Sequence, residues 1–389
     1  MFTTSRFSRR LKVSSVIAGA CLLSLVASAC GAGPNSTDAS GSTSFEEAAT
    51  KTSDQLADIY DQLDGLGESE RKAELIELAK EEDGPIVWYT AAADDDTAPL
   101  IKKFKEETGI DVQVYRASSA TVLAKTMEEA KAGRIRGDVL NFSGLDPTIA
   151  SNESLYADLE TPLADQMVEG TVHDDWIADQ LYPFIVAWNT ERYQGKSPET
   201  FKDVLTAFGD GELAFEATDS NWLFGVVQLL QEQEGVSEQE AIDMVADAAR
   251  RGVPVVGHTL LSELLASGQY VAAATTYHYR SARQVEDGAP VAWEPQPGPV
   301  ITTVSGTGIA ATTSRPASAL LFVEFQLTGE QEYWVEAGRT PTNENYQGGI
   351  LGQGFDLYIL DDDALYAELQ KWDDLYAEMM QSSGRPVRE

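Results

Sequence analysis

From Ile86 onward, short apolar runs alternate with longer amphipathic segments, and this alternation narrows the accessible folds more than any other feature. Ile86-Val87-Trp88-Tyr89 reads as a buried strand. Asp94 to Thr97 reads as the loop and cap of a helix that carries Pro99 in its first turn and ends at Gly109. Ile110, Val112 and Val114 alternate with polar neighbours as a second strand; a helix around Thr121 to Lys131 and a strand Val139 to Phe142 follow. This β-α-β-α-β order implies a parallel sheet with right-handed crossovers. Leu181 to Asn189 is a further buried strand. Beyond it, helices (Pro198–Phe208, Asn221–Gln231, Ser237–Arg251 and a Leu-rich stretch from Leu260) alternate with strands at Leu213–Ala217, Val253–Val256 and Tyr270–Tyr279. Val300 to Thr312 reads as a strand pair or one strand broken by Gly306 and Gly308, and two closing helices are expected at Arg315–Leu327 and Asp361–Gln381.

Ahead of this unit lie three segments of different character. Arg6, Arg9, Arg10 and Lys12 precede an apolar run, Val13 to Ala27, too short for a spanning helix and typical of an export signal. Val26-Ala27-Ser28-Ala29-Cys30-Gly31 resembles the processing site of bacterial lipoproteins, in which the Cys is lipidated and becomes the first residue, although Ala27 stands where that family prefers Leu. Gly31 to Ser44 is almost wholly small and polar, a tether that cannot bury a core. Two helices, around Phe45–Leu63 and Glu70–Glu82, form an extension that packs on the domain or spaces it from the anchor. The expected division is 1–29 export signal, 30–44 tether, 45–83 helical extension, 84–187 with 303–389 as one lobe, and 188–302 as the other.

The formal charge is −35, which argues against nucleic-acid or anionic-lipid binding. Cys21 and Cys30 are the only cysteines, so the processed domain would hold neither a disulfide nor a thiol nucleophile. No G-x-S-x-G, H-E-x-x-H or phosphate-loop pattern occurs, and His173, His258 and His278 match no metal module. Asp94-Asp95-Asp96 and Asp361-Asp362-Asp363 read as helix starts. No cofactor and no catalytic residues are expected.

In an open α/β sheet, ligands meet the carboxyl ends of strands, where helix N-termini offer free N–H groups. Those positions hold Tyr89 and Thr90, Arg116 with Ser118 and Ser119, Ser143, Asp219 and Trp222, and Tyr277, His278 and Tyr279. Arg116 is the candidate anion contact, and strand alternation would set Tyr277 and Tyr279 on one face with His278 on the other.

Across roughly 84–345 the chain resembles the type II extracellular solute-binding proteins of ABC importers, in the branch that includes ferric-iron binders. Ile86 to Thr90, Phe104 to Val112, Tyr115 to Ser119, Gly137-Asp138-Val139, Trp188-Asn189-Thr190, Gly288 to Val291, Gly306 to Ala310 and Ala319 to Phe325 carry the resemblance. It implies a two-lobe α/β fold with two crossover hinge strands (near Trp188-Asn189 and Ile301 to Ser305), Asn189 among the cleft residues, a monomer, and delivery of a small-molecule or metal-ion ligand to a membrane permease. In ferric relatives paired tyrosines ligate iron; here Tyr277 is followed by His278, and Ala91 to Ala93 stand where the relatives place a His. Tyr277 and His278 would be the ligands if the cargo were ferric, and a small organic or phosphorylated solute is the other class. An extracytoplasmic hydrolase is the alternative function.

Overall fold

The computed structural model describes residues 44–388. Helices α1 (Phe45–Leu63) and α2 (Glu68–Lys80) lead into β1 (Ile86–Thr90), α3 (Asp94–Thr108), β2 (Val112–Arg116), α4 (Ser119–Lys131), β3 (Val139–Ser143) and α5 (Asp146–Asn152). The long strand β4 (Ile177–Asn189) then opens a second series. It comprises α6 (Phe201–Ala207), β5 (Leu213–Glu216), α7 (Ser220–Glu234), α8 (Glu238–Arg251), β6 (Val253–Val255), α9 (His258–Ala266), β7 (Ala272–Tyr277), α10 (His278–Glu286) and β8 (Val291–Ala292). Strand β9 (Val300–Ile309) returns to the first series, followed by α11 (Pro316–Gln326), α12 (Gly329–Glu336), β10 (Thr340–Pro341), β11 (Leu357–Ile359), α13 (Asp362–Ala367) and α14 (Leu369–Ser382).

Strand order is β2-β1-β3-β9-β4-β7-β5-β6. The β1–β2 and β1–β3 pairs are parallel, as are β5–β6 and β5–β7, so each end of the path is a parallel α/β unit. Between them, β9 and β4 run antiparallel to each other and to their outer neighbours. β4 starts earlier than the sequence predicts: Ile177 to Pro183 pair with β9, and Phe184 to Trp188 pair with β7. The strand therefore changes partner at Pro183–Phe184, well before Trp188-Asn189.

β9 is one uninterrupted strand, contrary to the break expected at its glycines. A Cβ on Gly306 would collide with the Trp176 ring, and one on Gly308 would lie 2.6 Å from the Tyr156 ring. These glycines let aromatic side chains lie flat on the strand. Pro99 falls in the second turn of α3, because the helix begins at Asp94 and takes the three aspartates into its first turn.

Both parallel units are covered on both faces, as buried parallel strands require. Around β1, Trp88 and Phe104 pack with Phe322 on one face, while Tyr89, Phe142 and Trp176 fill the other. In the second unit Trp222 and Phe224 pack with Trp372 and Tyr376 of α14, and Ile185, Leu261 and Trp293 form the opposite layer. The C-terminal helix, expected with the first lobe, thus packs on the second, because its apolar stripe of Trp372, Tyr376, Met379 and Met380 covers that unit's core.

The helical extension is built into the first unit. Ser44 and Glu47 complete a capping box on α1, and Leu56, Ile59, Leu63 and Leu75 join the core beneath α11. Arg71 pairs with Glu324 at 2.8 Å, and the Glu82 carboxylate accepts the Ala317 and Ser318 N–H groups at the start of α11. Leu75→Ala should therefore lower the unfolding free energy by about 2–5 kcal/mol, the cost of a core Leu truncation. Denaturant titration checks this; a change near zero would make the extension a mere spacer.

Candidate functional site

The strand ladders bring two sets of carboxyl ends face to face. In the first unit these ends are Thr90, Arg116 and Ser143; in the second, Glu216, Val255 and Tyr277. Ser143 lies opposite Ser305, which lies opposite Gln180 of β4, whereas Tyr277 lies opposite Phe184. The two levels are thus separated along β4 by Gln180 to Phe184, roughly 13 Å at about 3.3 Å per residue. Six helices open onto this seam (α3, α4, α5, α7, α9 and α10), and none carries a side-chain cap. Helices elsewhere, such as α1, α6 and α8, carry full capping boxes. α2, α11, α12 and α14, away from the seam, also lack side-chain caps.

Aromatic rings form its wall. The Tyr277 ring stacks on the His258 imidazole with centroids 4.1 Å apart, and Phe184 stacks at 5.3 Å from the same imidazole. Tyr182 and Tyr279 lie 5.6 and 5.9 Å from Tyr277. Tyr182 donates to Gln180 Oε1 at 2.9 Å. The Arg339 guanidinium, next to β10 in the first unit, reaches across the seam to lie 4.9 Å from the Tyr279 ring of α10 in the second. Arg339 is held by Asp96 at 2.7 Å, and Asp96 also accepts the Tyr333 hydroxyl at 2.8 Å.

Charge at the seam is shaped by burial. His258 Nε2 lies 3.0 Å from Asp219 Oδ2, with both side chains nearly inaccessible. Burial opposes the imidazolium, but the Asp219 carboxylate, helped by Glu216, outweighs it and holds the His258 pKa above its ordinary value. Burial raises the carboxyls of Asp179 and Glu330, favouring their neutral forms. Burial likewise holds the Tyr277 phenol far above its ordinary range.

Of the residues singled out from sequence, Asp219, Tyr277 and Tyr279 meet at the seam. Ser119 and Ser143 lie at its first-unit edge, where Ser119 Oγ accepts the Ser143 N–H at 3.0 Å. Ser118 is beside them, its hydroxyl 2.8 Å from that of Thr121. Thr90 is buried and donates to Asn141 Oδ1, which makes it part of a chain through Asn141 to Asp179. Arg116 is tied to its own unit, donating from Nε to the Ala92 carbonyl with Asp94 3.6 Å away.

Four expectations are corrected. Tyr89 turns into the core under α4, where its hydroxyl donates to Glu129 at 3.1 Å. Trp222 is wholly buried against Phe215. Asn189 stands at the far end of β4, its amide bound to the Leu265 and Ala266 carbonyls and its Oδ1 to the N–H groups of Glu191 and Arg192. His278 diverges from Tyr277: β7 ends at Tyr277, a helical turn replaces strand alternation, and the His278 ring packs edge-on against Trp293 at 4.7 Å. Burial lowers the His278 pKa to about 4. The imidazole beside Tyr277 is His258, at the carboxyl end of β6, a position the strand-end rule marks as surely as the others. Tyr182, Phe184 and Arg339 had no comparable signal. Cys30 lies outside the described residues.

A separate concavity of about 220 Å³ lies between α2, α3 and α11, away from every strand end. Its walls are already paired as Arg71–Glu324 and Lys72–Glu107, so the seam is the better candidate on chemical grounds.

Residues 99–350, more than half of the chain, match the model of a family described as bacterial extracellular solute-binding protein. No curated protein matches the chain in sequence. Among solved structures, iron-bound HitA from Pseudomonas aeruginosa is similar over 76% of this chain and 99% of its own, with 19% identity and a TM-score of 0.64. AfuA from Actinobacillus pleuropneumoniae, with fructose-6-phosphate bound, covers 77% and 99% at 21% identity and a TM-score of 0.60. An ABC transporter protein from Clostridium perfringens covers 76% and 99% at 14% identity and a TM-score of 0.65. The architecture is thus that of the two-lobe, type II binding proteins.

The His258–Asp219 pair makes a signed prediction. A raised folded-state pKa contributes stability that is fully present below the unfolded value of about 6.5 and is lost as pH rises through the folded value. In Asp219→Asn, the His258 ring resonances should titrate at lower pH than in the unmodified protein, because burial then opposes the charge without its main counterion. An unchanged midpoint by NMR would remove Asp219 as that partner.

Proposed function

We propose that this chain, a member of the bacterial extracellular solute-binding protein family, clamps a small solute at the seam and hands it to an ABC permease in the membrane. The observation that carries this reading is the meeting of two opposed sets of strand ends at an aromatic wall drawn from both units. In this reading the lobes are 84–187 with the return from 303, and 188–302, with α14 riding on the second. Only β4 and β9 need flex for the lobes to open, and solute favours the closed state by touching both. No covalent step is required, and a monomer suffices. Cys30 supplies the membrane anchor through its lipid, consistent with the extracytoplasmic setting of the family.

An organic solute fits the seam better than ferric iron. The pair offered for iron, Tyr277 and His278, diverges, and Tyr277 instead presents a ring face stacked on His258. Planar rings with polar tips suit the apolar and hydroxylated faces of an organic body. A hydrolase is the alternative function, and in it His258 would have to act as base; its polar neighbour here is the Asp219 carboxylate.

Three measurements test these statements. Tyr277→Ala should weaken solute binding by about tenfold or more, as loss of a stacking face does, read as a diminished ligand-dependent thermal shift. Absence of any shift across a broad solute library, with turnover of an ester or glycoside, would overturn the binding role. Fe(III) should give no phenolate charge-transfer colour; a stoichiometric coloured complex that disappears in Tyr277→Phe would reverse the choice of cargo. Cys30→Ala should release the domain from membranes or leave an unprocessed precursor, whereas a processed, salt-resistant membrane form would refute the lipid anchor.

A further inference from the structure

The chain has 63 acidic and 28 basic side chains, and most of the described lysines and arginines pair with a carboxylate, although others such as Arg192, Arg251 and Arg283 do not. Arg71 has Glu324, Arg315 has Asp138, Arg339 has Asp96 and Lys125 has Glu129. Among the described lysines and arginines without a carboxylate, Arg280 is the one with a buried side-chain nitrogen that lacks an acceptor. It is half-buried in the first turn of α10, and among the described residues no carboxylate pairs with it. Its Nε is buried without an acceptor, and its aromatic neighbour is the Tyr279 ring at 5.3 Å. Its charge acts on His258. Tyr279 thus carries two guanidiniums, Arg280 from its own helix and Arg339 from the opposite unit at 4.9 Å. On β4, Gln180 is buried with Nε2 lacking an acceptor, while its Oε1 takes the Tyr182 hydroxyl.

Several acids near Arg280 are matched or shifted toward the neutral form. Asp96 is matched by Arg339 and Asp219 by His258. Burial favours the neutral acids of Asp179 and Glu330. Glu216 is occupied by the N–H groups of Thr218 and Gly257. The Arg280 Nε, in the first turn of α10, and the Gln180 amide on β4 are donors left without acceptors. Withdrawing a cation from water without a partner is costly, and a guanidinium fork matches the paired oxygens of a phosphate or carboxylate.

We infer that the solute is an organic anion whose phosphate or carboxylate group is held by Arg280, with its body against Tyr277 and Tyr279. This rests on the reading of the seam as the solute site. It moves the anion contact from Arg116, which is spent on the Ala92 carbonyl, to the opposite unit.

The test uses the full-length chain in detergent and two matched probe sets. One is glucose 6-phosphate, glucuronate, glucose and glucosamine; the other is phenyl phosphate, benzoate, benzyl alcohol and benzylamine. Binding is read by calorimetry and thermal shift. At least one anion should bind more tightly than its neutral and cationic counterparts, and the preference between phosphate and carboxylate identifies the head group. Arg280→Gln should weaken that anion about tenfold or more, Arg280→Lys should restore part of the loss, and Arg116→Gln should have little effect. Melting curves without probe confirm that the variants fold. Preference for a neutral or cationic probe that Tyr277→Ala abolishes would overturn the anion assignment while leaving solute capture intact. Unchanged anion binding in Arg280→Gln, or silence toward all the anions, also overturns it.

Discussion

The antiparallel ladder between β4 and β9 is the constraint on which the rest of this structure depends. These two strands share a register from Ile177–Thr307 to Pro183–Thr302 and form the middle of the strand path. Because each also pairs with one outer unit, they set the distance and facing of the two sets of strand ends. A parallel strand delivers its carboxyl end, and the following helix N-terminus, to the same side of its unit. Two such units mounted on one ladder, running toward each other, must present those ends across a gap. The seam is a consequence of that arrangement.

The core beneath each unit is large, aromatic and fully buried, and several contacts join the units besides Arg339 on the Tyr279 ring. Gln353 Nε2 lies 3.5 Å from His278 Nε2, Trp293 meets Phe355 at 5.7 Å, and Leu145 packs against the second unit's core. A cation–π contact such as that of Arg339 is worth on the order of 0.5–2 kcal/mol. In the proposed binding role, a solute that touches both walls adds its own contacts to these in the closed state.

On the outer surface the acidic excess faces water, where it favours solubility. At the seam, Asp96 and Asp219 are paired, and burial pushes Asp179 and Glu330 toward the neutral form. The total charge therefore does not fix the charge balance at the seam. Net charge reports the surface average, while a ligand meets only the groups left unmatched within a few ångströms.

Much of the fold was legible in the residues themselves. Apolar runs such as Ile86–Tyr89, caps such as Ser237–Glu240, and the stop at Gly109 act locally, so the alternation of strand and helix and the two-unit architecture could be read before any contact was known. The strand-end rule picked out Asp219, Tyr277 and Tyr279, which the structure brings together at the seam, because topology alone carries such positions there. Which way a side chain turns there is a different matter. Tyr89 and Trp222 are at or beside strand ends yet face cores, since burying a large ring against Glu129's helix or Phe215 satisfies more surface than the seam offers. His278 turns away because the strand ends one residue earlier and a helical turn rotates it toward Trp293. Arg339 and Tyr279 are far apart in sequence and meet only through the β4–β10 and β4–β7 pairings. Local pattern determined the elements and their order; the pairing of distant strands decided which side chains share the seam, because that depends on register and packing that no short stretch of chain encodes.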